Sequence, residues 1–177
     1  MEGAVCKKED ELVSLSEPNL VECCSSCANS VYSSFEYTRD NGINTDEDYP
    51  RIDGDYSCKF DGSKRVVKIS GYGKVKEMDE EDLTDKIATE GPTSVAIDAG
   101  HISFQLYSSG IYYEPHCSST RLDHFVLAVG YGVVEDAEYY IVKNSWGTTW
   151  GENGYIKMSR NRNNNCGIAT RALWAIA

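Results

Sequence analysis

The sequence predicts an α+β fold. Three observations lead there: a helical and turn-rich first half, a capped amphipathic helix near the middle, and a strand-rich remainder of β-branched and aromatic runs separated by turns. Residues 31–39 carry apolar and aromatic positions at Val31, Tyr32, Phe35 and Tyr37, and Asp40-Asn41-Gly42 follows, which suits a helix and its stop. From Gly42 to Gly62 turn residues dominate, with Tyr49-Pro50 and Asp61-Gly62 as punctuation. Asp79 stands where a helix cap is wanted, Leu83, Ile87 and Ala88 share a face beyond it, and Gly91-Pro92 ends it. Strands are expected over 66–69, 94–97, 124–133, 138–143 and 154–158, and the turns between them suit an antiparallel sheet or barrel.

Composition narrows the function. A net charge of −11 argues against nucleic acid, whose phosphates need a basic face. The acidic runs Glu9-Asp10-Glu11, Asp46-Glu47-Asp48 and Asp79-Glu80-Glu81-Asp82 read as solvated faces and helix starts, with an acidic binding tail as the alternative. No apolar run approaches the ~20 residues of a membrane span. The start, Met1 to Lys8, shows no apolar core of a signal peptide. Seven cysteines in a chain of this size point to an oxidising compartment, and their odd number leaves at least one over. Cys24-Ser25-Ser26-Cys27 also reads as a C-x-x-C redox or metal half-site, with no second such pair or neighbouring His to support it.

The chemistry is carried by Leu122-Asp123-His124-Phe125-Val126-Leu127-Ala128-Val129-Gly130-Tyr131-Gly132, followed by Val142-Lys143-Asn144-Ser145-Trp146-Gly147 and Trp150-Gly151. These segments resemble the His and Asn segments of papain-family cysteine peptidases, and within that family those of the cathepsin L type. The likeness runs in family order through Leu15-Ser16-Glu17-Pro18-Asn19-Leu20-Val21-Glu22-Cys23, Asp48-Tyr49-Pro50, Ser57-Cys58-Lys59, Gly91-Pro92, Val95-Ala96-Ile97-Asp98-Ala99-Gly100-His101, Gly110-Ile111-Tyr112, Cys117-Ser118-Ser119 and Cys166-Gly167-Ile168-Ala169. It implies a two-lobe fold, with a helical lobe over about residues 1–65, a β-barrel lobe over about 66–177, and the active site in the cleft between them.

The resemblance also implies roles. His124 would be the general base and later the general acid, Asn144 would fix its tautomer, and Trp146 would cover their contact and border the substrate, with Trp150 packed nearby. Asp123 would be a substrate-binding residue. His101 and His116 lack such context and read as surface or loop residues. Cys23 would pair with Cys58 and Cys117 with Cys166. Cys27 would lack its partner, which in the family lies in the nucleophile motif, while Cys6 and Cys24 have no counterpart. That motif, C-G-[SA]-C-[WY], lies about 130–150 residues before the His and Asn. Counting back from His124 lands before Met1, and none of the seven cysteines sits in such a motif.

Further departures touch catalysis and stability. The family's C-x-G-G stretch is Cys27-Ala28-Asn29-Ser30 here, and the glutamine of the oxyanion hole lies upstream of the nucleophile. Met1-Glu2-Gly3 would correspond to the later part of the helix that starts at the nucleophile. The N-terminal part of the fold is therefore expected to be missing, and the 177 residues alone to be inactive and marginally folded, with up to three unpaired cysteines. The implied function is cysteine-type endopeptidase, acting on peptide or protein substrates and met by inhibitors, with no cofactor and no metal, in a lysosomal or extracellular setting. Two alternatives stand beside it. One is a noncatalytic pseudo-peptidase that binds a peptide, inhibitor or partner. The other is a silica-condensing relative with serine as nucleophile.

Overall fold

A computed structural model describes residues 1–27, 30–54 and 56–177. Ala28 and Asn29 lie outside the described residues, and with Asn29 goes the first of the two positions, Asn29 and Ser30, that stand where the family has glycines. The chain divides into two compact units, Met1–Tyr72 with Ala175–Ala177, and Gly73–Trp174.

The first unit holds three short helices, α1 (Glu2–Glu9), α2 (Glu17–Cys23) and α3 (Val31–Asp40), with a small antiparallel pair, β1 (Ile43–Asn44) and β2 (Val66–Val67). β2 covers only the first half of the strand expected over 66–69. Val5, Ile43 and Val67 are buried together, with Leu15 and Leu20 against them. Polar groups tie the loops to this core. Ser16 is fully buried; its Oγ accepts from Asn19 N at 3.1 Å, capping α2, and donates to the Tyr49 carbonyl at 2.7 Å. Asn44 donates its side-chain amide to the carbonyls of Asp61 and Arg65 at 3.0 and 3.2 Å, so one buried side chain closes the long turn-rich segment.

The second unit is built on a seven-stranded sheet. The strands of this sheet are β3 (Gly71–Lys74), β4 (Thr93–Ile97), β5 (Ile111–Tyr112), β6 (His124–Val134), β7 (Ala137–Lys143), β8 (Tyr155–Ser159) and β9 (Ala172–Ile176), in the order β3-β9-β4-β6-β7-β8-β5; β4 to β8 lie wholly within the unit, and β3 and β9 lie there in part. Mixed helices and a large sheet make this an α+β protein. The pairs β4–β6, β4–β9, β6–β7 and β7–β8 are antiparallel, but β5 runs parallel to β8, so the sheet is not wholly antiparallel as expected. The reason lies in connection length: β5 and β8 are far apart in sequence, and a parallel pair needs a long crossover rather than a tight turn. Alternate residues of β4, β6, β7 and β8 (Val95, Ile97, Val126, Ala128, Tyr140, Val142, Ile156 and Met158) are buried in one core.

Helix α4 (Glu80–Thr89) starts at Asp79, whose side chain accepts from Asp82 N at 3.0 Å, and turns Leu83 and Ile87 into that core. Its first residue reaches across the unit. The buried Glu80 carboxylate accepts from Asn161 N and Asn164 N, both at 2.8 Å, in the loop between β8 and β9. That loop needs the help, since Asn161, Asn163, Asn164 and Cys166 all have positive φ.

Cys23 is bonded to Cys58 and Cys117 to Cys166, with Cα separations of 4.7 and 4.8 Å. Cys24 and Cys27 are bonded to each other at a Cα separation of 5.3 Å, which corrects the expectation of up to three unpaired cysteines and gives Cys27 a partner other than the family's. Three residues of separation bring the two within ordinary disulfide range. Both C-x-x-C sulfurs are therefore spent, and Cys6 is the free cysteine among the described residues.

Candidate active site

His124 opens β6, and Asn144 follows the last residue of β7. The antiparallel register, with Leu127 opposite Lys143, brings these two strand ends side by side. Asn144 N donates to the Gly154 carbonyl at 2.9 Å, which pins the backbone just beyond the strand. The side chains meet: His124 Nε2 lies 2.8 Å from Asn144 Oδ1. The same oxygen accepts from Ser145 N at 2.8 Å. A backbone N–H only donates, so the Asn144 atom facing both groups is the oxygen. Nε2 must then be the donor, and a neutral His124 ring holds its proton on Nε2 and keeps the lone pair of Nδ1 free. A nitrogen in that state can take a proton from a neighbouring acid and return it. Asn144 is buried and its Nδ2 finds no partner among the described residues. Leaving such a group unsatisfied costs roughly 1–3 kcal/mol, so the hydrogen bonds of Asn144 run through its oxygen.

Aromatic rings enclose the pair. Trp146 lies tilted over His124 with centroids 5.2 Å apart. Trp146 as a whole residue is 42% exposed, so it shields the imidazole while part of it meets solvent. The fully buried Phe104, from α5 (Ile102–Gln105), meets Trp146 edge-on at 5.5 Å and Trp150 at 5.1 Å. Trp150 Nε1 donates to the Gln105 carbonyl at 3.0 Å, which fixes this second ring to α5. Phe104 was missed in the sequence, although it follows Ala99-Gly100-His101 by three residues. Tyr107 was missed as well. Its hydroxyl lies 2.6 Å from the Gly110 carbonyl and 2.9 Å from Glu152, two acceptors for its single proton, and burial pushes its pKa up to about 12. Glu152 in turn pairs with Lys157 at 2.8 Å, so the loop carrying Trp150 is held from both ends.

Asp123 sits beside His124 in the chain but uses its side chain elsewhere. Its Oδ1 accepts from Ala99 N at 2.8 Å, so the carboxylate ties β6 to the segment after β4. His116 is exposed; His101 pairs with Asp98, Nε2 to Oδ2, at 3.3 Å.

Residues 1–176 match the papain family cysteine proteases. A Caenorhabditis elegans protein described as cathepsin L-like is 50% identical over 99% of this chain and 55% of its own length. Homo sapiens cathepsin L2 is 45% identical over 97% of this chain and 55% of its own. Among solved structures, digestive procathepsin L 3 of Tenebrio molitor larval midgut superposes with a TM-score of 0.91 at 42% identity, over 99% of this chain and 60% of that one. The chain spans about half the length of the curated relatives it matches.

Proposed function

We propose, from the premise that this chain belongs to the papain family of cysteine proteases, that it supplies the imidazole and amide of a cathepsin L-like thiol endopeptidase. The observation that carries this reading is the 2.8 Å contact from His124 Nε2 to an Asn144 oxygen that Ser145 N also holds. In this reading the free Nδ1 takes the proton of a cysteine thiol, and the thiolate attacks a peptide carbonyl. The imidazolium then returns the proton to the leaving amine, and water hydrolyses the acyl-enzyme by the same relay in reverse. Asn144 keeps the ring in one tautomer through both halves. Trp146 keeps water from the His124–Asn144 hydrogen bond, which is stronger for being dry. Asp123 holds the segment before β6 in place, and its neighbourhood is where substrate would lie. Three disulfides among the described residues support an oxidising, lysosomal or extracellular setting. No helix among the described residues is long and apolar enough to cross a membrane.

None of the seven cysteines lies in a C-G-[SA]-C-[WY] motif, so in this reading the 177 residues alone do not cleave peptides. That same observation favours a second reading, in which the chain binds a peptide, an inhibitor or a partner peptidase without catalysis. A fluorogenic peptide assay separates them. A protein that joins this chain to the cysteine-bearing segment should hydrolyse the peptide, lose activity to an epoxide that alkylates thiols, and lose it again with His124→Ala. Hydrolysis that survives His124→Ala would sink the first reading. A joined protein that binds the peptide but never cleaves it would establish the second, and serine at the nucleophile position would point to the silica-condensing class.

A further inference from the structure

A second cluster of chemically able side chains lies in the same unit and includes neither His124 nor Asn144. The donor atoms of Asp98, His101 and Cys117 lie within 4.8 Å of one another. His101 Nε2 is 3.3 Å from Asp98 Oδ2, and Cys117 Sγ is 3.3 Å from the Asp98 carbonyl. Tetrahedral zinc, with bonds of about 2.0–2.1 Å to N and O and about 2.3 Å to S, sets N and O about 3.3 Å apart and S about 3.5 Å from each. The His101–Asp98 separation already fits. The sulfur lies within 4.8 Å of the other two donors, and once released from its partner it is free to rotate about χ1 toward them. Ser118 N donates to Asp98 Oδ2 at 2.7 Å and Gly100 N to Oδ1 at 3.2 Å, so the carboxylate is oriented from behind, as metal carboxylates are. Asp98 and His101 also line a cavity of about 400 Å³ with Arg121 and Asp123, which gives an ion a way in and leaves room for water at the fourth position.

Cys117 Sγ is bonded to Cys166, and only a thiolate serves as a zinc ligand of this kind. We propose that reduction of the Cys117–Cys166 disulfide by a small-molecule thiol opens a zinc site formed by Asp98, His101 and Cys117, so that the disulfide and the metal exclude each other. Two thiol molecules supply two electrons and two protons. The S–S bond breaks, Cys117 and Cys166 become thiols, and the reductant leaves as its own disulfide. Zinc then displaces the Cys117 thiol proton to solvent. The bound ion holds the reduced state and slows re-closure of the bridge. This site is independent of the peptidase reading and survives its failure.

The test frees Cys117 without any reductant. Cys166→Ser removes its partner and leaves Cys23–Cys58 and Cys24–Cys27 in place. In competition with a chromophoric chelator, Cys166→Ser should bind one zinc ion more than the oxidised wild type. Adding His101→Ala should weaken that site by more than 10²-fold, beyond the 10–100-fold that outer-shell changes cost. Cobalt in place of zinc should show a sulfur-to-cobalt absorption band that disappears when Cys117→Ser is added. No extra zinc, or extra zinc indifferent to His101→Ala, overturns the proposal. Should Cys166→Ser lose its near-ultraviolet circular dichroism, phosphine-reduced wild type serves instead. Zinc should then protect Cys117 from alkylation, read by mass spectrometry, in wild type and not in His101→Ala. Equal alkylation in both overturns the proposal.

Discussion

Asn144 shows how much one side chain can decide. Its oxygen accepts from His124 and from Ser145 N together, so it fixes which imidazole nitrogen is basic. In a catalytically complete protein, Asn144→Ala should lower kcat/KM by about 10²-fold or more, within the range that general acid–base groups contribute. Asn144→Asp keeps the acceptor and should lose less. It also adds a negative charge beside His124, which favours the imidazolium, so the limb of the pH–rate profile set by the imidazole should move to higher pH. An unmoved limb with equal losses in both variants would show that the contact is not catalytic. Glu114 is a second residue whose surroundings set its charge. Ser103 Oγ donates to it at 2.7 Å and His116 N at 3.1 Å, and together they hold its pKa down to about 2. A carboxyl lowered on folding stabilises the protein above its unfolded value of about 4.3, and that contribution is lost as pH falls from there toward 2. Glu114→Gln should therefore flatten the fall of Tm with pH across that window.

Among the elements, those with a clear period or stop signal were legible. Helix α4 was marked by Asp79, by Leu83 and Ile87 on one face, and by Gly91-Pro92 beyond; α3 ends where Asn41-Gly42 says it should. Strands β4, β6, β7 and β8 fell within two residues of expectation because one face of each is buried. Helix α2 was not read, since seven residues are too few for a period to show, and its start depends on Ser16. Ser16→Ala removes the cap on Asn19 and the bond to Tyr49, at a cost of about 1–3 kcal/mol. The urea midpoint should fall with an unchanged slope; a shift under a few tenths of a kcal/mol would mean the cap is dispensable. Two-residue β5 left no signal, and its parallel partner is set by a crossover that local sequence does not encode.

For the whole molecule, the cross-links divide by the length of chain they close. Cys23–Cys58 and Cys117–Cys166 span 35 and 49 residues, and loss of either should cost about 4 kcal/mol by chain entropy. Cys24–Cys27 spans three, and its loss should cost less than half as much by the same rule. Thermal melts of the paired Cys→Ser variants test that order. The two long bridges followed from family resemblance; the short one did not, because Cys24 has no family counterpart and only its proximity to Cys27 reveals it. The candidate site was legible as far as His124, Asn144 and Trp146. Phe104 and Tyr107 stayed hidden because their roles exist only when α5 packs against the Trp150 loop.

The Glu80 carboxylate gives the stretch from Asn161 to Asn164 an unusual timetable. No ladder partner holds the Asn161 and Asn164 amides; a side chain from more than eighty positions earlier does. In deuterated solvent a loop of this kind would ordinarily give up its protons at once. Here those two amides should keep them for as long as α4 stays docked, and surrender them together. Replacing Glu80 by Ala should release both at once while the amides in the middle of β7 still hold theirs, so isotope uptake at two loop positions becomes a reporter on a helix elsewhere in the unit.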